Sequence, residues 1–141
     1  MGRWQQVTVR EGTLDDLPSL SGLIERARQK MGPPYLLAGP ETTKAMLRHE
    51  MQRPGTVLLV AGEPPCGFLW AEALPSGEML VHEVCMIPGH SLRMLEEALH
   101  AAARRRKCTH LTCLTYRPGG PRFFKRFGFK WTASLLQREV K

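Results

Sequence analysis

Two stretches of this 141-residue chain hold side chains that could do chemistry. The first is Glu78–Ile87 (EMLVHEVCMI), where His82 and Glu83 stand side by side among apolar residues. A carboxylate on a mostly apolar strand is costly to ionise. Burial would therefore push the Glu83 carboxyl upward, toward a range where it can take and release a proton. Strand alternation puts His82 on the face opposite Glu83, as a second candidate base or as a hydrogen-bonded structural histidine. A half-exposed Glu83 paired with an arginine fits the same residues.

The second stretch is Pro88-Gly89-His90-Ser91-Leu92-Arg93, at the start of an amphipathic segment. A helix N-terminus presents free N–H groups and the positive end of its dipole to an anion. Gly89 would let the backbone approach, Ser91 can cap the helix, and Arg93 adds a charged donor in the first turn. A plain Ser91 cap with a solvated Arg93 is the simpler reading. Charge supports the anion: residues 1–87 hold 8 Lys+Arg against 10 Asp+Glu, and residues 88–141 hold 12 against 3. The chain is thus −2 up to Ile87 and +9 beyond it. His82 and Cys85, like His110 and Cys113, are three apart, which on strands directs them to opposite faces and argues against a metal site.

The elements that must position these residues follow from periodicity. Val7–Arg10 alternates as a short strand, and Thr13 with Asp16 forms a capping-box variant at a helix start, with Asp15 adding negative charge there. Leu17, Leu20, Ile24, Ala27 and Met31 give that helix one apolar face, and Gly32-Pro33-Pro34 stops it. A second helix spans Glu41 to about Gln52. Three consecutive strands follow: Thr56–Ala61, Cys66–Leu74 and Glu78–Ile87, separated by Gly/Pro turns. A helix from about Ser91 to Arg106 carries Leu92, Leu95, Leu99 and Ala102 on one stripe, with Arg104–Lys107 at its cation-favouring end. Thr109–Thr115 is a strand, Arg122–Phe127 a short helix, and Phe129–Val140 closes the sheet as one strand or two. Length and 43% hydrophobic residues suit one domain spanning residues 1–141.

Four pieces of this pattern resemble the GCN5-related N-acetyltransferase (GNAT) family over nearly the whole chain. Val9–Leu17 resembles its first strand, turn and acidic helix start. Val60-Ala61-Gly62-Glu63 with Cys66-Gly67-Phe68 resembles the hairpin between its second and third strands, where a Gly-Phe pair restarts the strand. Glu83–Pro88 resembles the end of its fourth strand, and Phe123–Phe129 its aromatic-pair, two-charge, Gly-Phe signature. The resemblance implies an α/β (α+β) fold with a mixed, mainly antiparallel sheet of 6–7 strands and about four helices. It also implies an acyl-CoA-dependent N-acyltransferase that moves acetyl from acetyl-CoA, as cosubstrate, to a small-molecule or peptide amine.

By the same resemblance, Glu83 would be the base. Pantetheine would run along Val84, Cys85 and Met86, between the fourth and fifth strands. Gly89, His90, Ser91 and Arg93 would meet the pyrophosphate, Phe124 would lie beside the cofactor, and Tyr35 would wall the acceptor site. Two departures stand out. The family's pyrophosphate loop carries more glycine and is longer than Pro88–Arg93, and its acidic tyrosine is replaced by Phe124. Tyr116 is then the substitute acid, since phenylalanine has no proton to give. A chain that has lost the chemistry and serves as a binding or regulatory module is the alternative these departures raise. A nucleic-acid-binding basic domain ranks third, because no helix-turn-helix, zinc-finger or RNP-like pattern accompanies the basic residues. Relatives are commonly dimers, so a homodimer is among the expected states. No apolar run is long enough to span a bilayer, no secretory leader is visible, and four unpaired cysteines suit a reduced, cytoplasmic chain.

Overall fold

The computed structural model describes residues 7–31, 40–87 and 93–113. Strand β1 covers Val9–Glu11, and a 3-10 helix follows over Leu14–Leu20. Helices α1 (Ser21–Met31) and α2 (Pro40–Glu50) come next, then strands β2 (Thr56–Ala61), β3 (Gly67–Ala73) and β4 (Glu78–Met86). Helix α3 (Arg93–Arg105) and strand β5 (His110–Cys113) complete the described part. The sheet order is β1-β2-β3-β4-β5, antiparallel throughout except for the parallel β4–β5 pair. This is the expected mixed α+β architecture. The expected short helix Arg122–Phe127 and final strand or strands over Phe129–Val140 lie outside the described residues.

The first helix departs from expectation by splitting in two. Pro18 has no N–H to offer the Leu14 carbonyl, so an α-helical bond cannot form there, and the chain winds as 3-10 until Ser21. Both halves still bury the anticipated side: Leu17, Leu20 and Ile24 are fully buried, and Leu23 nearly so. The sheet separates two apolar layers. On one side α3 lays Leu95, Leu99, Ala102 and Ala103 against Val57, Leu59, Ala61, Leu69, Ala71, Met79 and Val81. On the other, the 3-10 helix, α1 and α2 cover Leu58, Val60, Phe68, Trp70 and Cys85. Alternation along β2 and β3 sends successive residues to opposite layers, which is why both strands are apolar nearly throughout.

The termini of these elements are tied by polar contacts. The Thr56 hydroxyl donates to the Glu50 carbonyl at 2.6 Å, joining the end of α2 to the start of β2. Helix α3 ends through Lys107 at φ 58, which lets the Cys108 amide reach back to the Ala103 carbonyl at 2.9 Å. Glu11 of β1 accepts from Arg105 and Arg106 at 3.2 and 3.3 Å, so part of the basic run is paired within the chain.

At the 3-10 start, Arg10 donates through both terminal nitrogens to Asp16, at 2.8 and 2.7 Å. The Asp16 carboxylate also accepts the Thr13 amide at 2.7 Å, the capping contact expected from the sequence. Led by the Arg10 hydrogen bond, these contacts lower the Asp16 pKa from its ordinary 3.8 to about 2. A depressed carboxyl stabilises the fold above its unfolded pKa, and that stability is lost as pH falls from about 4 to about 2. Arg10 is 44% exposed, so solvent screening reduces the effect to about 1 kcal/mol. Asp16→Asn should therefore lower stability by about 1 kcal/mol at pH 7, with the difference vanishing toward pH 2. Urea titrations at both pH values check this, and a pH-independent difference would contradict it.

Candidate active site

The site is organised by a break in the β3–β4 ladder. Pairing runs from Ala73↔Met79 to Ala71↔Val81, then resumes with Trp70↔Glu83 and continues to Gly67↔Met86. His82 is the extra residue of a bulge. One inserted residue reverses the facing of everything beyond it. Met79 and Val81 accordingly belong to the α3 layer, whereas Cys85 belongs to the layer under α1 and α2. Val84 and Met86 pack toward α3. Glu83, directly across from Trp70, takes Trp70's face and is 6% exposed. It is a buried strand carboxyl rather than a half-exposed one.

His82 corrects an expectation. It does not lie on the face opposite Glu83, because the bulge cancels the alternation on which that expectation rests. Its ring sits 4.9 Å from the Trp70 ring, centroid to centroid, at an interplanar angle of 35°. Its Nε2 is 3.3 Å from Glu72 Oε1. Glu72 follows Trp70 by two on β3 and shares its face, so Trp70, Glu72, His82 and Glu83 gather on the α1–α2 side. Arg53, just past α2, reaches Glu50 at 3.2 Å and Glu72 at 4.0 Å. Trp70, Glu72 and Arg53 carry no catalytic signature in the sequence. Their alternation on one strand is visible, but their meeting with His82 depends on a cross-strand register that no single-strand pattern reveals.

The expected cofactor residues divide. Val84, Cys85 and Met86 form the end of β4, and the described pairing of β4 with β5 covers only Glu78–Val81. The stretch proposed for pantetheine thus lies past that pairing. Cys85 donates its thiol to the Leu23 carbonyl at 3.5 Å, fastening β4 to α1. Arg93 opens α3 with its side chain 75% exposed, and its Nε donates to Glu97 at 3.1 Å. Gly89, His90, Ser91, Tyr35, Tyr116 and Phe124 lie outside the described residues.

This arrangement suits proton transfer at a buried carboxyl. Burial pushes the Cys66 and Cys113 thiols up, so these two stay protonated and weakly nucleophilic at neutral pH. A recess of about 520 Å³ between β1 and α3 is lined by Val7, Thr8, Val9, Met94, Glu97 and Ala98. Glu97, the ionisable residue among the described ones lining it, is paired with Arg93. Among the described residues no group of three His, Cys, Asp or Glu is placed to hold a metal ion. No described helix is long and apolar enough to cross a membrane.

No family model and no curated protein matches this sequence. Solved structures do match its fold. A protein of Arthrobacter sp. FB24 named as an acetyltransferase aligns with a TM-score of 0.72 at 22% identity, covering 95% of each chain. One from Clostridium acetobutylicum, named likewise and crystallised with acetyl-CoA, aligns at 0.73 with 14% identity, over 94% of this chain and 96% of the other. A transcriptional regulator from Bacillus halodurans C-125 aligns at 0.66 with 22% identity, over 95% and 99%. At these identities the likeness is one of architecture, and the architecture is that of the GCN5-related N-acetyltransferases.

Proposed function

We propose that the chain transfers an acyl group, most simply acetyl, from acyl-CoA to an amine by direct attack in a ternary complex. The observation that carries this reading is Glu83: a carboxyl buried just past a bulge, on the face covered by α1 and α2. A neutral amine attacks the thioester carbonyl, the N–C bond forms, and the C–S bond breaks to release the thiolate. Glu83 takes the amine proton, directly or through water. The thiolate is protonated by solvent or by Tyr116. Pantetheine would run beside Val84–Met86, and Gly89, His90, Ser91 and Arg93 would meet the pyrophosphate. The acceptor, a small amine or a peptide, would enter near Pro33–Gln52, with Tyr35 as a wall.

A second reading is supported by Phe124, by the single glycine in Pro88–Arg93, and by the fold shared with a transcriptional regulator. On that reading the chain is a binding or regulatory module without turnover. Calorimetry with acetyl-CoA separates the two, since undetectable binding at millimolar ligand rules out the enzyme. Where binding occurs, Arg93→Ala should weaken it by about 1 kcal/mol, the low end for a charge-assisted contact because Arg93 is exposed and already bonded to Glu97. Unchanged affinity would remove Arg93 from the site.

A further inference from the structure

The reaction leaves a proton to dispose of. If the acceptor arrives as an ammonium ion and CoA departs as a neutral thiol, each turnover releases one proton net. Glu83 is buried, so a proton taken there needs a route to water before the next cycle. The neighbouring residue supplies one. The bulge sets His82 on the same face as Glu83, its neighbour in the chain, and its side chain is 33% exposed, so it reaches solvent. Its Nε2 faces the Glu72 carboxylate at 3.3 Å, which would offset the positive charge of a transient imidazolium. Trp70 packs against the ring and fixes its plane, and Arg53 bridges Glu72 to Glu50 behind it.

We propose that His82 is the proton exit of the site, receiving the proton from Glu83 and releasing it to bulk water, with Glu72 as its positioning residue. This rests on the acyltransferase reading. An ammonium acceptor gives one proton to solvent as it enters as the neutral amine. The second passes to Glu83 as the N–C bond forms, then to the imidazole and out to solvent, while the departing thiolate takes one proton back from solvent or Tyr116. One proton is thus released net, and no co-reactant beyond acyl-CoA and the amine is required.

The test is steady-state thiol release by the full chain with acetyl-CoA and a primary-amine panel of lysine, spermidine and a lysine-bearing peptide. His82→Gln should lower kcat about tenfold to a hundredfold with KM for acetyl-CoA unchanged. Added imidazole should restore turnover in proportion to its concentration, because a diffusible base can replace a relay but not a packing contact. Glu72→Gln, a near-isosteric change, should lower kcat severalfold and respond to imidazole in the same direction. It carries the test if His82→Gln does not fold. Unchanged kcat in a folded His82→Gln, or a loss there that imidazole does not relieve, overturns the relay alone. So does a Glu72→Gln chain that is unaltered or unresponsive. A wild-type chain that neither binds nor consumes acetyl-CoA overturns the acyltransferase reading, and the relay with it.

Discussion

Glu83→Gln should lower acyl transfer by about a hundredfold or more, with acetyl-CoA affinity nearly unchanged. The amide keeps the volume and polarity of the buried side chain but cannot accept a proton and hold it. The barrier rises by about 2.7 kcal/mol for each hundredfold, so the effect is well outside error. Binding should survive because the contacts expected for CoA lie farther along β4 and at the start of α3. Turnover by thiol release and affinity by calorimetry, measured on one preparation, distinguish the two quantities. A variant with wild-type kcat would remove Glu83 from proton transfer. A variant that lost binding and turnover together would make it a structural residue of β4.

The largest effect on the fold should come from Gly67. A Cβ built there would stand 2.6 Å from Met86 Sδ and 2.7 Å from the Cys85 carbonyl oxygen. The methionine can swing away, but the carbonyl belongs to β4 in its pairing with β3 and can move only if the ladder opens. Gly67→Ala should therefore destabilise the chain by about 2–3 kcal/mol, and Gly67→Val by more. Gly22, exposed in α1 with nothing within 4 Å of an added Cβ, is the matched control. Gly22→Ala should stabilise by about 0.5–1 kcal/mol, since a helix interior penalises glycine. Denaturant midpoints for both variants test the pair, and a neutral Gly67→Ala would mean that β3 and β4 separate more easily than their register implies. Because the displaced atoms belong to Cys85 and Met86, the same change should also weaken acetyl-CoA binding in molecules that remain folded.

Much of the layout was legible in the sequence because each apolar run is bounded by residues that cannot continue it. Thr56–Ala61 matches β2 residue for residue, held between Pro54-Gly55 and the turn at Gly62. The edges of β3 and β4 differ by a residue or so, since terminal pairing is decided by the partner strand rather than by composition. Leu95, Leu99 and Ala102 are buried on α3 as their spacing requires. What could not be read is anything set by two segments at once. Pro18 was in plain sight, but its effect depends on whether the Leu14 carbonyl needs a partner. The contact between Glu72 and His82 joins residues ten apart through a register shift, and periodicity along one strand carries no trace of it. Glu83 stood out for its chemistry, but its sequence fits a buried and a half-exposed carboxyl equally, because its burial comes from helices far from it in sequence.

The extra residue in β4 also governs which alignments of the strand are tolerable. Were β3 and β4 to pair without interruption, Glu83 would point into the apolar layer beneath α3, among Leu95 and Leu99. Burying a carboxyl there without a polar partner costs several kcal/mol. A sliding error by one step, the ordinary hazard of a strand that is apolar on both sides, is thereby penalised by the residue on which the proposed chemistry depends. The uninterrupted alignment is thus disfavoured by Glu83 itself, and the bulged one is the alignment in which it can also work as a base.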